Sequence, residues 1–417
     1  MLAVLQPVIA VGLPTPARAE AVAQSLQQRV EAKLREAGPG TRFGLVVATQ
    51  DGHELVAIAP DGRFIPASNT KIFTTAAVFE LLGGLHSPDA SAGAFVRLRQ
   101  AARGGPDVEL VGLGDARMSS APDCVANCLA QLADAVAAKV RVVRDVIGDD
   151  TYFPDERWSP GMSWNNIPTR SGTAVSALTV DDNELALRVT PGRPGERPEA
   201  EIGAYYSVDN RAVTVGEGKA DLTVDRLPGS SVVRLTGIIP AGSDTQLVRL
   251  GIDDPAHYAA WRLKGMLEER GVRVTGAVEA RHRPAVPSKY ALADASPDAA
   301  GSGPDALVRT TPGPLAEDLR LTNKVSHNVH AELLLRRVGR KQGTGSIADG
   351  LDATRAMIER AGVARWAYDL FDGSGMSTYN RASPRGTVTF LRWIAGRPWG
   401  AEWRATLPVG GVDGTLG

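Results

Sequence analysis

The sequence predicts an α+β chain in which one or two β-rich modules interrupt a largely helical domain. Three observations carry this. Apolar residues recur at helical spacing before Ser87 and again after Pro314. Between about Ser87 and Gly313, short runs rich in Val, Leu and Ile alternate with turn residues, the pattern of strands joined by tight connections. The length of 417 residues exceeds one average domain.

The elements follow in order. Val22, Leu26, Val30 and Leu34 recur every fourth residue, which predicts a helix over Ala21 to Ala37. In "RFGLVVATQDGHELVAIAP" two Val- and Leu-bearing runs flank Asp51-Gly52, a strong hairpin signal. A second Asp-Gly turn, at Asp61-Gly62, leads into "IPASNTKIFTTAAVFELLGG". There Ile72, Ala76, Phe79 and Leu82 form an apolar stripe that Gly83-Gly84 should stop. The middle region offers "DVELVGLGD", "VRVVRDVIGDDTYF", "ELALRVTP", "AVTVGEG", "SVVRLTGIIPAG" and "QLVRLGI" as strands. One helical stretch, "AHYAAWRLKGMLEERG", precedes a last run, "VRVTGAVEA", and "DASPDAAGSGPDA" (Asp294 to Ala306) reads as a linker. After Pro314, helices are predicted over "LAEDLRLTNK", over "HNVHAELLLRRVG" closed by Gly339, over "SIADGLDATRAMIERAG" and over "VTFLRWIAG".

A net charge of −1 with 22% charged residues gives no reason to expect nucleic acid or an acidic membrane as partner. Residues 1–19 are apolar and then small-residue-rich. Ala17-Arg18-Ala19 before Glu20 fits a signal-peptide cleavage site, although the usual basic start is missing. Export to the periplasm or cell envelope is the resulting expectation. No later run approaches the ~18–20 apolar residues of a membrane span, which leaves at most a loose membrane association. The two cysteines, Cys124 and Cys128, are either two thiols on one helix face or a local disulfide in an exported protein. The adjacent acids Asp149-Asp150 and Asp181-Asp182 read as solvated turns. Of the histidines His53, His86, His257, His282, His327 and His330, only the last two lie close together, and no ligand set completes them. Neither a metal nor another cofactor is expected.

The chemistry-bearing feature is Ser68 with Lys71. A cation in a first helical turn opposes the helix dipole. A serine hydroxyl needs a base to become a nucleophile, and a lysine serves once its pKa is brought down by burial, positive charge or a helix N-terminus. Residues i and i+3 share one helix face, so Lys71 can reach the Ser68 hydroxyl. Alone, S-x-x-K is a weak signal that an N-cap and a surface lysine would also produce. A second feature is Ser326 and Asn328 in "NKVSHNVHAE", between two predicted helices. In an extended loop the two side chains would face one cleft, the hydroxyl relaying a proton and the amide holding a carbonyl or the lysine. S-x-x-K, S-D-N and K-T-G occur together in class A β-lactamases and penicillin-binding proteins. The separation of 258 residues between the serines (326 minus 68) exceeds what a compact β-lactamase needs.

The chain resembles the D-alanyl-D-alanine carboxypeptidases/endopeptidases of the penicillin-binding-protein-4 type (peptidase family S13, class C low-molecular-mass penicillin-binding proteins). Five segments carry the resemblance, in order: "PASNTKIFTTAA", "GDDTYF" as G-D-x-x-x-F, "NKVSHNVHAELLL", "DGSGMSTYNRASP" and "LPVGGVDGTL". It implies a β-lactamase/transpeptidase-like domain, a mixed sheet with helices, built from 20–92 and 314–417 after the leader 1–19. Two inserted β-rich domains follow from it, one from 93–182 with 286–313, the other from 183–285. It further implies acylation of Ser68 by peptidoglycan stem peptides ending in D-Ala-D-Ala, and by β-lactam antibiotics. In that reading Ser68 is the nucleophile, Lys71 the general base, Ser326 the proton relay, and Asn328 a partner of substrate and lysine. Asp372 and Ser374 lie in a family-like turn as weaker, cleft-shaping candidates for substrate binding.

One departure matters. The family's K-T-G segment, which holds the substrate carboxylate and supplies an oxyanion-hole amide, should follow "VDGTL", and no K-T-G occurs up to Gly417. The expectation is either a fragment or an impaired enzyme, one that binds peptidoglycan or partners without turnover. A Ser-His-Asp hydrolase fits less well, because Gly373-Ser374-Gly375 is not G-x-S-x-G.

Overall fold

The computed structural model describes residues 26–101, 104–285 and 305–417. The expected leader and nearly all of the 294–306 linker lie outside these residues.

Both chain ends contribute to one helical domain. Helix α1 (26–34) precedes the hairpin β1 (Leu45–Ala48) and β2 (Glu54–Ile58), which turns at Asp51-Gly52 as expected, with Gly52 at φ 101°. A single turn, Ala67–Asn69, then feeds α2 (Thr70–Leu81). Gly83 and Gly84, both at positive φ, carry the chain away from it. The stripe expected on α2 proves too narrow. Thr70, Lys71 and every residue from Phe73 to Phe79 are buried, because α2 is the central helix of the domain. Around it stand α5 (Leu315–Lys324), α6 (Asn328–Arg340), α7 (Ile347–Arg360), α8 (Pro384–Ala395) and α9 (Gly400–Ala405). Phe73, Phe79, Leu319, Leu334, Met357, Phe390 and Trp403 form their shared core. Gly339 does not close α6. It lies inside the helix where α6 crosses α7, and a Cβ there would stand 2.6 Å from the Gly350 backbone nitrogen.

The first inserted module is a five-stranded sheet in the order β15-β6-β4-β3-β16. Its strands are β3 (Ala94–Arg99), β4 (Asp107–Gly112), β6 (Val146–Pro154), β15 (Val278–Arg283) and β16 (Val308–Arg309). Helices α3 (Leu129–Ala137) and α4 (Pro255–Glu269) pack on the sheet. The short strands β5 (Val142–Val143) and β14 (Arg273–Val274) pair beside it. The second module is smaller. It holds β7 (Glu184–Thr190), β8 (Glu199–Glu201), β9 (Ser207–Asn210), β10 (Val213–Val215), β11 (Asp221–Asp225), β12 (Val232–Pro240) and β13 (Gln246–Gly251). Leu187, Val189, Val233, Leu235 and Ile239 form its core.

The expected boundary of this second module, 183–285, is therefore corrected to Glu184–Gly251. Ala256, Ala259, Ala260, Leu263 and Leu267 of α4 belong to the core of the first module, and β15 runs parallel to β6 within its sheet. The chain leaves the five-stranded sheet after β6 and returns to it through α4.

The G-D-x-x-x-F segment sits on β6. Asp149 and Asp150, expected as solvated acids, are buried at 3% and 6% exposure. Asp149 pairs with Arg281 at 3.0 Å and Asp150 with His282 at 2.9 Å, so both tie β6 to β15. Phe153 packs with Val329 and Leu333 of α6, joining module to helical domain. Cys124 and Cys128 form a disulfide, which decides between the two readings of their spacing.

Candidate active site

Ser68 lies in the turn before α2 and is exposed, whereas Lys71 in the first turn of α2 is 3% exposed. The turn begins at Ala67, held at φ 48°. Its neighbour across the cleft is Gly375 at φ 93°, whose missing side chain is required. A Cβ there would stand 1.8 Å from the Ala67 carbonyl oxygen. The D-G-S-G turn is thus pressed against the backbone that presents Ser68.

The Lys71 ammonium meets three acceptors. Ser68 Oγ is at 3.2 Å, Asn328 Oδ1 at 2.7 Å and the Ser374 carbonyl oxygen at 2.7 Å. Burial is the main cause that brings the Lys71 pKa down from 10.5 to about 8, against the opposing pull of Glu332 and Asp372. The arrangement also fits the free amine. Asn328 Oδ1 and the Ser374 carbonyl can only accept, so a neutral Lys71 gives its two N–H bonds to them. Its lone pair is then left facing the Ser68 hydroxyl. The Asn328 amide is oriented by its other end, which donates to the Ser171 carbonyl at 2.9 Å.

Ser326 and Asn328 do not lie in the extended loop that their spacing suggested. Asn328 is the first residue of α6, and Ser326 sits in a tight turn at φ 59°. That conformation costs a non-glycine residue about 1 kcal/mol or more. The Ser326 hydroxyl has no hydrogen-bond partner among the described residues, which leaves it able to donate and accept.

Asp372 and Ser374 are both 1% exposed, so neither side chain is open to a substrate. Both help to shape the lysine's surroundings. Asp372 accepts from the Gly375 and Ser377 amides at 2.9 and 2.6 Å and from Asn380 Nδ2 at 2.7 Å, so it ties the turn together. Ser374 contributes its backbone carbonyl.

Sequence reading missed Glu332. Its carboxylate is buried in α6 and accepts the Gly373 and Ser374 amides at 3.0 and 2.9 Å. Burial first, then neighbouring Asp372, raises its pKa to about 6. It fixes the backbone of Ser374, the residue whose carbonyl holds Lys71. A glutamate on a helix facing an unknown turn leaves no local signal. Sequence reading placed Asp182 in a solvated turn; it contacts His330, 148 positions later in the chain, at 2.9 Å.

An exposed serine beside a buried lysine, with Asn328 on the lysine's other side, defines an active-site-serine peptidase of the Ser/Lys class. Comparison with known proteins is specific. The model of the D-Ala-D-Ala carboxypeptidase 3 (S13) family matches residues 26–417. The chain is 33% identical over 411 residues to the D-alanyl-D-alanine carboxypeptidase of Actinomadura sp. (strain R39), covering 94% of this chain and 72% of that protein. It is 23% identical to penicillin-sensitive carboxypeptidase A of Dictyostelium discoideum, over 90% of this chain and 74% of that one. Among solved structures, penicillin binding protein 4 (dacB) of Haemophilus influenzae superposes with a TM-score of 0.73 at 18% identity. That match covers 94% of this chain and 82% of the other. The same protein complexed with a β-lactam superposes with a TM-score of 0.69. The chain belongs to the D-Ala-D-Ala carboxypeptidase 3 (S13) family of serine carboxypeptidases.

Proposed function

We propose that this protein cleaves D-Ala-D-Ala termini and related cross-links of peptidoglycan stem peptides through an acyl-enzyme on Ser68. Ser68 Oγ attacks the carbonyl carbon while its proton passes to Lys71. The tetrahedral intermediate then collapses, and the C–N bond breaks. The proton held on Lys71 reaches the departing D-alanine amine, with Ser326 as the relay. Water next attacks the ester carbonyl and hydrolysis restores the Ser68 hydroxyl. Asn328 keeps Lys71 aimed at Ser68 and offers its amide to the substrate. A β-lactam acylates the same oxygen, its ring amide opening in place of the peptide.

The observation that carries this reading is the Lys71 Nζ–Ser68 Oγ contact of 3.2 Å, with the other two directions of the nitrogen taken by Asn328 and the Ser374 carbonyl. Action at the periplasm or cell envelope is part of the proposal. It is supported by the Cys124–Cys128 disulfide, since such bonds persist in oxidising compartments.

Labelling with a fluorescent penicillin, alongside D-alanine release from a D-Ala-D-Ala peptide, tests the reading. The expected result is one covalent adduct that Ser68→Ala abolishes. Labelling of Ser68→Ala at the wild-type level would show that the nucleophile lies elsewhere.

A further inference from the structure

A second group of chemistry-bearing side chains meets where the S-x-N turn abuts the inserted module. His327 and His330 lie one helical turn apart at the start of α6, their ring centroids 4.1 Å apart. Asp182 reaches them from a turn between the first module and β7. One ligand-type atom from each of the three lies within 4.8 Å of the others. We propose that Asp182, His327 and His330 form a binding site for a divalent transition-metal ion of the zinc class, with two imidazoles and one carboxylate as protein ligands.

The orientation of His330 supports this. Its Nδ1 lies 2.5 Å from Asp318 Oδ1, and Asp318 is itself only 3% exposed. With Nδ1–H donated to that carboxylate, Nε2 is left to face Asp182 Oδ1 at 2.9 Å. A buried carboxylate holding the far nitrogen of an imidazole is the outer-shell arrangement of metal-binding histidines, fixing tautomer and ring plane.

His327 adds an independent observation. It is 8% exposed, and neither ring nitrogen has a hydrogen-bond partner. Its Nε2 stands 3.3 Å from Asp182 Oδ2, in poor alignment for a hydrogen bond. A buried imidazole whose nitrogens make no hydrogen bond costs about 1–3 kcal/mol, which the ion-pair contact with Asp182 offsets only in part. A metal ion beside Asp182 would supply a directed bond to that nitrogen.

The backbone that presents Asp182 is held in an unusual shape. Asp181, Asp182 and Asn183 are consecutive non-glycine residues at φ 51°, 57° and 54°. Each costs about 1 kcal/mol or more. The flanking pair is tied down: Asp181 accepts from the Ser120 amide at 2.8 Å, and Asn183 donates to the Ala174 carbonyl at 3.0 Å. Asp182 alone is turned toward the histidines, and its side chain is 40% exposed, which gives an ion a route from solvent. An ion there would brace the first module against the start of α6. Asn328, the residue that orients Lys71, lies between the two histidines in sequence.

Cobalt(II) titrated into the full chain, followed by absorption spectroscopy, tests the site. The expected result is one equivalent bound with the ligand-field bands of a four- or five-coordinate ion, displaced by Zn²⁺. His327→Ala and Asp182→Asn should each weaken binding by roughly tenfold or more, since even loss of an outer-shell partner costs that much. His53→Ala, an exposed histidine elsewhere, should bind as wild type does. Circular dichroism checks that each variant is folded, and if Asp182→Asn fails that check, His327→Ala decides. Absence of the bands in wild type, or equal binding by folded His327→Ala, would overturn the site and leave an ion pair around His330. Both readouts are independent of Ser68 acylation.

Discussion

Glu332→Gln should shift the acid limb of the acylation rate to lower pH. In the proposed mechanism acylation needs Lys71 as the free amine, and the Lys71 pKa is about 8 instead of 10.5. At pH 7 that raises the free-amine fraction about 300-fold over an exposed lysine, equivalent to about 3 kcal/mol. Burial drives this lowering, and the Glu332 carboxylate opposes it by favouring the ammonium. Removing the negative charge therefore lowers the Lys71 pKa further, by about one pH unit for a nearby opposite charge. The acylation rate should rise several-fold between about pH 6.5 and 7.5 and stay unchanged above pH 9, where Lys71 is already neutral. Below about pH 6 the difference should vanish, because Glu332 itself is protonated there. The substitution keeps an acceptor for the Gly373 and Ser374 amides, so the geometry at Lys71 is retained. It leaves buried Arg336, 3.9 Å from Glu332, without that counter-charge. A loss of about 2 kcal/mol in stability is expected, within the range for a buried group that loses a charged partner. The assay is stopped-flow acylation by a chromogenic β-lactam from pH 5.5 to 9.5, below the melting temperature of the variant. An acid limb that stays in place, or moves to higher pH, would refute Lys71 as the base under the influence of Glu332.

Gly375→Ala forces a Cβ to within 1.8 Å of the Ala67 carbonyl at a backbone φ of 93°. Penicillin labelling should fall at least about a hundredfold, and wild-type labelling by a folded variant would contradict the packing of that turn on Ser68. Asn328→Ala removes one of three Lys71 partners, and acylation should slow by roughly 10²–10⁴-fold with little change in the melting temperature. An unchanged rate would remove Asn328 from the site. Reducing the Cys124–Cys128 bond opens a very short loop. The loop-entropy relation gives about 2 kcal/mol of lost stability, which thermal denaturation with and without reductant measures. Coincident melting curves would show that the bond contributes nothing.

Much of this site was legible because its first pair is local. Ser68 and Lys71 lie three residues apart, and helix geometry alone brings them together. Asn328 was legible only through its place in a recurring segment order. What escaped was contributed by the backbone or by distant charge. The Ser374 carbonyl would be the same carbonyl on almost any residue, so no side-chain pattern announces it. Glu332 reads as one more polar residue on an amphipathic helix until the turn it faces is known. Asp182 sits in a turn whose left-handed backbone has no glycine to mark it. The misplaced module boundary has a similar origin. The apolar face of α4 shows that it packs on something, but not whether the sheet lies before or after it in the chain. Gly339 was read as a stop because a glycine near a helix end usually is one; here it makes room for α7.

The partners of Lys71 come from opposite ends of the chain, Ser68 beside it and Asn328 and Ser374 hundreds of positions later. Until those segments close around it, Lys71 is an ordinary solvated amine and Ser68 an ordinary alcohol. Reactivity in this chain is therefore a readout of completed folding. On the proposed mechanism, half-made or unravelled copies carry the same residues yet have no activated serine to acylate, so a covalent penicillin label would count native molecules and not total protein.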